Sequence, residues 1–309
     1  MTTQTNATEV ALAEHARGLR WMVAAVRTAR PRQWPKNLLV FAAPLAGASL
    51  GRQDGLFYAL VAAVAFGFAS AAVYFVNDVV DAERDRQHPR KRFRPVASGA
   101  LPERHGIALG AVCAALGLVA GAAIREPLLI ATVAGYLVLS FGYSLVLKHI
   151  PVVEVMFLAS GFLLRVLGGA AATHVPPSGW FLLVCSLGAF GVAIAKRYTE
   201  LTHLGDEAIR HRPVLRFYRP AQLRMAQIAV GACMIAAYVA WAAGEHSGVR
   251  IWHLASALPL ALALVRFGYL TGRRTAAAVE DLIMRDIPML ACELSWLALF
   301  VTGLYQTGG

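Results

Sequence analysis

The chain has 309 residues, of which 58% are hydrophobic, and its formal net charge is +11. Its mean hydropathy of +0.56 is too high for an ordinary water-soluble domain and is typical of an integral membrane protein. Membrane topology explains the excess of Lys and Arg, so we expect membrane lipids as partners and no nucleic acid.

The beginning of the chain is polar and lacks the apolar core of a signal peptide. We therefore predict that residues 1–16 are a disordered tail and that residues 17–309 form a single membrane domain. Apolar runs near the length of a membrane helix recur along this domain. We count nine, at 37–50, 56–76, 105–123, 127–147, 151–171, 179–195, 225–243, 252–270 and 287–305. They predict an all-α protein with nine transmembrane helices.

Charge is distributed unevenly between the two sides of this predicted bundle. The N-terminal segment and the connections on its side, including the long ones at 77–104, 196–224 and 271–286, carry 24 of the 29 Lys and Arg residues. The positive-inside rule places this side in the cytoplasm and, with nine spans, the C-terminus outside. Long loops on one face of a rigid scaffold often carry function, so we expect the active site in these three connections.

An acidic motif follows the second apolar run. Asp78, Asp81 and Asp85 have the spacing i, i+3, i+7, which places them on one face if the helix continues. Three carboxylates on one face need a cation, and hard oxygen ligands suit Mg²⁺, so we predict that these three hold the metal. The basic residues that follow are predicted to bind phosphates: Arg90, Lys91, Arg92 and Arg94. A solvated helix end paired with its own basic run is the alternative interpretation.

Further polar residues lie near the ends of later apolar runs. Tyr143 and Lys148 close the fourth run, and Glu154 opens the fifth. The end of the sixth run carries Lys196, Arg197, Tyr198 and Glu200.

Three charged residues fall inside apolar runs, namely Arg165, Arg266 and Glu293. Such charges are functional candidates, although a structural bridge between helices is equally consistent with them. Arg165 lies about 16 Å along the helix from Glu154, so the two cannot pair and each needs another polar partner.

The acidic motif, with Asn77 before it, resembles the Asn-Asp-x-x-Asp-x-x-x-Asp signature of the UbiA superfamily of intramembrane prenyltransferases. Segments 30–37, 73–78, 91–95, 147–149 and 196–201 resemble the decaprenyl-phosphate phosphoribosyltransferase branch of that superfamily, found in mycobacteria and their relatives. The resemblance implies nine helices around a lateral lipid-accessible cavity, with a cytoplasmic cap of loops and short helices. It also implies a multi-pass protein of the bacterial plasma membrane.

The resemblance further implies a Mg²⁺-dependent reaction, with Mn²⁺ as a substitute. The 5-phosphoribosyl group of phosphoribosyl diphosphate would pass to a polyprenyl (decaprenyl) phosphate, for arabinan synthesis in the cell wall. Asn77, Asp78 and Asp81 are then the predicted catalytic residues. The predicted substrate-binding residues are Lys36, Tyr74, Arg90, Lys91, Arg92, Arg94, Tyr143, Lys148, Glu154, Arg165, Lys196, Arg197, Tyr198 and Glu200.

One departure from the superfamily pattern bears on the substrate. Prenyl-diphosphate users carry a second Asp-rich motif after the sixth helix, whereas this chain has Glu200 as the single acid within residues 196–200. This favours the phosphoribosyl donor over the first alternative, a prenyltransferase with an aromatic acceptor. The second alternative is a lipid transporter or flippase, for which charges inside helices would be the evidence. A homo-oligomer is compatible with the sequence.

Overall fold

The computed structural model describes residues 18, 20–52, 54–145, 150–205, 209, 212–245, 247–273 and 279–306. These residues form helices and connections without strands. The predicted tail at 1–16 and the predicted site residue Lys148 lie outside them. The eight long helices are α1 (Gly55–Val80), α2 (Glu103–Ala123), α3 (Pro127–Leu145), α4 (Val153–Ala172), α5 (Gly179–Leu204), α6 (Pro220–Ala243), α7 (Ser247–Gly272) and α8 (Ile287–Tyr305).

All eight long helices have described parts that are long and apolar enough to cross a membrane. They correspond to eight of the nine predicted spans, and they make the chain a multi-pass membrane protein by length and composition. The remaining predicted span, at 37–50, is not among them, so the count of nine transmembrane helices is not confirmed.

The first apolar run folds as a 3₁₀-helix, Pro31–Phe41, followed by a short α-helix, Ala42–Ala46. Pro35 lies inside the 3₁₀-helix and lacks the N–H group that a continuous α-helix would need. The run packs closely against α4, where a Cβ on Gly169 would lie 1.8 Å from the Val40 carbonyl oxygen. Glycine is therefore required at this crossing.

The long helices pack in neighbouring pairs, chiefly α1 with α2, α3 with α4, α5 with α6, and α7 with α8. Small residues permit the close approach of α1 and α2, since a Cβ on Gly117 would lie 2.9 Å from the Ala65 carbonyl oxygen. Van der Waals contact between closely spaced backbones is a main source of helix association in lipid.

One end of the bundle gathers most of the charged connections, and we call it the charged end. It is formed by the last turns of α1, α3, α5 and α7 and the first turns of α2, α4, α6 and α8. Four short helices lie in the connections there, Ala82–Arg86, Lys91–Phe93, Pro213–Phe217 and Val279–Arg285. Residues 20–29, also helical, pack at this end against the final turns of α1 and the start of α2.

Candidate active site

The acidic motif lies where α1 reaches the charged end. Asp78 is in the last turn of α1, which ends at Val80, and Asp85 lies on the short helix that follows. Asp81 sits between the two helices with φ −92° and ψ 1°, so the helix does not continue unbroken through the motif. Aspartate is a poor former of helix interiors, in keeping with a break here. Asp78 and Asp85 are nevertheless both buried, with 2% and 3% exposure, whereas Asp81 is half-buried.

Two arginines bind the buried aspartates. Arg30 Nη2 donates to Asp78 Oδ1 at 2.5 Å. Arg94 Nη1 donates to Asp85 Oδ2 at 2.6 Å and to Asp78 Oδ1 at 3.4 Å, so one guanidinium group joins the two carboxylates. We call Asp78, Asp85, Arg30 and Arg94 the acidic cluster. It brings the predicted phosphate contact Arg94 directly to two predicted metal ligands.

Arg30 is a site residue that the sequence did not single out. It lies 48 positions from Asp78 and is one of several arginines before the first apolar run. Its backbone is left-handed, with φ 51°, where the helix at 20–29 gives way to the 3₁₀-helix. The guanidinium carbon also lies 4.9 Å from the ring centre of Tyr74, a predicted substrate-binding residue one turn before Asp78. Segment 30–37 contributes to the family resemblance, but nothing in it predicts that Arg30 binds Asp78.

Asn77 adds an unsatisfied acceptor beside the acidic cluster. Its Oδ1 atom is buried and has no hydrogen-bond partner among the described residues. Amide and carboxylate oxygens are hard donors, and Mg²⁺ commonly binds one or two carboxylates together with substrate phosphates. Within the described residues, no group of three His, Cys, Asp or Glu side chains is arranged to hold a metal by itself. The donors therefore fit a divalent ion that shares its coordination with a substrate.

The basic run after the motif divides into two parts. Lys91 is half-buried, and burial together with the nearby positive charge of Arg94 lowers its pKa. Its backbone N–H and that of Arg90 both donate to the His88 ring, at 3.3 and 3.1 Å, which fixes the turn. The side chains of Arg90 and Arg92 are exposed, the latter over the Phe93 ring. The structure thus places Lys91 and Arg94 inward and leaves the other two predicted phosphate contacts at the surface.

A second charged cluster joins α3, α4 and α5 at the same end. Arg197 Nε lies 2.8 Å from Glu154 Oε1, and its Nη1 lies 2.5 Å from Glu200 Oε2. Glu154 is fully buried and Arg197 is 1% exposed. The phenol of Tyr143 accepts a hydrogen bond from Arg197 at 3.3 Å. Four predicted substrate-binding residues therefore come together, and the charges of Glu154, Arg197 and Glu200 are paired within the group, although Glu154 Oε1 and Arg197 Nε do not have the geometry of a hydrogen bond.

Arg212 completes this second cluster and was missed by the sequence reasoning. It donates from Nη1 to Glu154 Oε2 at 2.9 Å and to the Tyr143 hydroxyl at 2.8 Å. Burial lowers the pKa of Arg212, but the phenol and the two glutamates outweigh that effect and raise it above its usual value. We call Tyr143, Glu154, Arg197, Glu200 and Arg212 the glutamate cluster. Its two carboxylates are balanced by two guanidinium groups.

Arg165 lies apart from both clusters, inside the bundle. It donates to Asn37 Oδ1 at 2.8 Å, to Ser70 Oγ and the Tyr136 hydroxyl at 3.0 Å each, and to a backbone carbonyl of its own helix. It thereby links α4 to α1, α3 and the 3₁₀-helix. As expected, Arg165 and Glu154 do not pair and each has other partners. These contacts support the bridging interpretation, and the substrate role of Arg165 stays a prediction.

The other two charged residues within apolar runs are Arg266, which is paired, and Glu293, which lines a cavity. Arg266 forms a two-pronged ion pair with Asp286, at 3.0 and 2.8 Å, joining α7 to the start of α8. Glu293 lies on the wall of an apolar cavity of about 1730 Å³, which the 3₁₀-helix and α5–α8 surround together with part of α4. Lys36 lines the same cavity, whereas Tyr198 and Lys196 are half-buried at the end of α5.

Comparison with known proteins gives concordant sequence matches. Residues 38–285 match the UbiA prenyltransferase family. A decaprenyl-phosphate phosphoribosyltransferase from Mycobacterium tuberculosis is 36% identical over 278 residues, which cover 88% of this chain and 91% of the relative. A protein of the same name from Corynebacterium glutamicum is 33% identical over 288 residues, which cover 91% and 86%.

Solved structures share the fold. A UbiA homologue from Archaeoglobus fulgidus, bound to GPP and Mg²⁺, matches with a TM-score of 0.68 at 16% identity and covers 93% of this chain and 100% of its own. The same homologue bound to Cd²⁺ matches with a TM-score of 0.67 at 17% identity, covering 91% and 99%. At this identity the likeness shows a common helical architecture. The homologue itself binds divalent metals.

Proposed function

Because this chain belongs to the UbiA prenyltransferase family, we propose that it transfers the 5-phosphoribosyl group of phosphoribosyl diphosphate to a polyprenyl phosphate. The products are polyprenyl-phosphoryl-5-phosphoribose and diphosphate. Curated relatives that match most of the chain carry the corresponding name, decaprenyl-phosphate phosphoribosyltransferase, which supports the proposal.

The observation that carries the proposal is the internal charge balance of the glutamate cluster. It occupies the place where prenyl-diphosphate users are expected to have a second acidic motif. Glu154 and Glu200 are balanced one for one by Arg197 and Arg212, and the Glu154–Arg197 pair is closed to solvent, so Glu200 is the one carboxylate of this cluster that is partly exposed. A donor with one diphosphate and one separate phosphate needs one metal site and additional cations. The acidic cluster and Lys91 offer that combination.

We place a divalent metal, Mg²⁺ with Mn²⁺ as a substitute, at the acidic cluster. Asp78 and Asp85 would hold it together with Asp81, and Asn77, next to Asp78 in the sequence, has a buried oxygen without a hydrogen-bond partner among the described residues. When bound, such an ion neutralises negative charge on a leaving diphosphate. Arg30, Arg94 and Lys91 supply fixed positive charge around the same group, and arginine suits the bidentate binding of phosphate oxygens.

The reaction needs little proton transfer. An oxygen of the lipid phosphate forms a bond to the anomeric carbon, while the bond from that carbon to diphosphate breaks and its electron pair leaves with diphosphate. A phosphate monoester is already ionised at neutral pH, so no general base is required. Positive charge develops on the ribose and negative charge on the leaving group. Carboxylates and guanidinium groups held side by side are suited to stabilising both.

We propose that the charged end faces the cytoplasm of a bacterial plasma membrane, where a soluble phosphorylated donor would be available. The C-terminus would then lie outside, and the product would supply arabinan synthesis for the cell wall. The uneven charge distribution in the sequence supports this orientation.

A paired labelling experiment tests the proposed reaction. Purified protein in phosphatidylcholine nanodiscs is incubated with polyprenyl phosphate and labelled phosphoribosyl diphosphate, or with labelled prenyl diphosphate and an aromatic acceptor. We expect labelled lipid from the first mixture, with loss of product on chelation and recovery with added Mg²⁺. Product from the second mixture alone would overturn the proposal in favour of aromatic prenyl transfer.

A further inference from the structure

The apolar cavity that α5–α8 help to surround has few charged residues on its wall. Among the described residues that line it, the charged ones are Lys36, Arg224, Glu245 and Glu293. Glu245 follows the end of α6, far from the charged end, and Glu293 lies about two turns inside α8. Arg224, in contrast, is in the second turn of α6, next to the charged end. Arg224 therefore lies where the apolar cavity meets the polar end of the bundle.

Arg224 is held in place by neutral groups. Its Nη1 donates to the Gly268 carbonyl oxygen of α7 at 2.7 Å and to Gln227 Oε1 at 3.3 Å. Gln227 is itself buried and donates to Thr271 Oγ1 at 3.1 Å, which fixes the amide between α6 and α7. Within the described part of the chain, Arg224 makes no ion pair with a carboxylate. No described carboxylate thus balances its charge.

The remaining donors of Arg224 can still bind a ligand. Both protein hydrogen bonds use Nη1, so Nη2 and Nε have no partner among the described residues. These two nitrogens form the edge of the guanidinium group that binds phosphate oxygens in a bidentate manner. The guanidinium carbon is 5.9 Å from the ring centre of Tyr198, which places it beside the end of α5.

We infer that Arg224 binds the phosphate of the lipid acceptor while the apolar cavity holds its hydrocarbon chain. The ligand is a polyprenyl phosphate monoester, because an apolar chain and a doubly charged headgroup match the cavity and its cation. This inference rests on the proposed function and divides the cations between the two substrates. Arg30 and Arg94 belong to the donor at the acidic cluster, and Arg224 belongs to the acceptor.

The test measures binding and turnover separately in phosphatidylcholine nanodiscs. Arg224→Ala should weaken binding of a long-chain polyprenyl phosphate by about 10- to 100-fold, the loss expected for a charge-assisted hydrogen-bonded pair. Binding of the matching polyprenol, which lacks the phosphate, should not change. The KM for the acceptor should rise by a similar factor, while the KM for phosphoribosyl diphosphate stays the same. Arg219→Ala, an exposed arginine at the start of the same helix, is the matched control.

Arg224→Lys keeps the positive charge but not the bidentate edge, so it should lose part of the affinity. This milder substitution keeps the test decisive if the alanine variant misfolds. Equal losses for polyprenyl phosphate and polyprenol would overturn the inference, since Arg224 would then serve packing. A rise in the donor KM alone would assign it to the other substrate. Competition by phosphatidylglycerol as strong as by polyprenyl phosphate would make it a general anionic-lipid site. Binding needs no turnover, so failure of the proposed reaction is recognised independently.

Discussion

The acidic cluster and the glutamate cluster lie at the same end of the bundle and are built from the same chemical groups, but they differ in access. In the acidic cluster the carboxylates are buried, while Arg30 and Arg94 are 24% and 28% exposed and reach the aspartates from the surface. In the glutamate cluster Glu200 and Arg212 are likewise 26% and 28% exposed, but the central pair of Glu154 and Arg197 is inaccessible. Both arginines of the acidic cluster can therefore be replaced by another cation, whereas Arg197 cannot leave Glu154 without local unfolding.

From this difference we assign the reaction to the acidic cluster and stabilisation of the fold to the glutamate cluster. A buried charge that loses its partner is strongly destabilising, so the glutamate cluster ties α3, α4 and α5 to the segment around Arg212. A carboxylate whose partners are partly solvated can bind a metal ion or release an arginine to a phosphate at smaller cost. Substitutions in the two clusters should therefore affect different measured quantities.

The largest effect is expected in the acidic cluster. Asp78→Asn should reduce kcat by at least about 100-fold, because an amide removes the charge that a divalent metal needs. Asp81→Asn is expected to act in the same direction. The measurement is turnover of labelled phosphoribosyl diphosphate by purified protein, with Glu103→Gln as an exposed acidic control at the same end. Near-normal activity of Asp78→Asn would contradict the assignment of the metal to this motif.

The glutamate cluster should respond in stability. Glu154→Ala should lower the free energy of unfolding by about 3 kcal/mol, because it leaves the buried Arg197 without its full counter-charge. Thermal unfolding in detergent gives the comparison with Glu83→Ala, which breaks an exposed ion pair to Arg86 and should have little effect. Equal destabilisation by the two substitutions would show that the buried Glu154 stabilises the fold no more than the exposed Glu83.

A smaller effect is expected on metal affinity. Arg30→Gln should raise the affinity for Mn²⁺ several-fold, because a guanidinium group no longer competes for the Asp78 carboxylate. Electron paramagnetic resonance of bound Mn²⁺ reports this without turnover. Arg92→Gln, which removes an exposed arginine outside the acidic cluster, should leave affinity nearly unchanged. Weaker Mn²⁺ binding by Arg30→Gln would show that the two cations do not compete.

The smallest effect concerns Asp286, outside both clusters. Hydrogen bonds from Arg266 lower the pKa of Asp286, whose carboxylate also caps α8 by accepting from Met289 N. A lowered carboxyl pKa stabilises the fold above the ordinary carboxyl range, and this contribution is lost as pH falls through the lowered pKa. Asp286→Ala should thus reduce Tm slightly at neutral pH, with the difference shrinking in acid.

The matched control for Asp286→Ala is Asp54→Ala. Asp54 precedes α1, but its side chain makes no capping hydrogen bond. A difference in Tm that persists unchanged into acid would assign the effect of Asp286 to packing rather than to its charge.

Sequence patterns predicted the long helices and the family well, because hydropathy and the Asn77-to-Asp85 spacing are local signals. They did not predict the break at Asp81, whose dihedral angles depend on how the following short helix packs. Arg30, Arg212 and Arg224 were also missed. Arg30 and Arg212 find their carboxylates 48 and 58 positions away, and Arg224 is held by a carbonyl 44 positions away. Only the folded bundle reveals which arginine meets which group.

The 3₁₀-helix at Pro31–Phe41 has a geometric consequence for the ends of the chain. Its eleven residues rise about 2.0 Å each, and with the five of Ala42–Ala46 they extend about 30 Å, roughly the thickness of a hydrocarbon core. The segment runs from Arg30, bound to Asp78, to Gly47, which abuts Val175 at the far end. These sixteen residues thus cover the distance of an α-helix of about 20 residues. Because the segment joins the charged end to the far end, the helix at 20–29 and Tyr305 lie at opposite ends of the bundle.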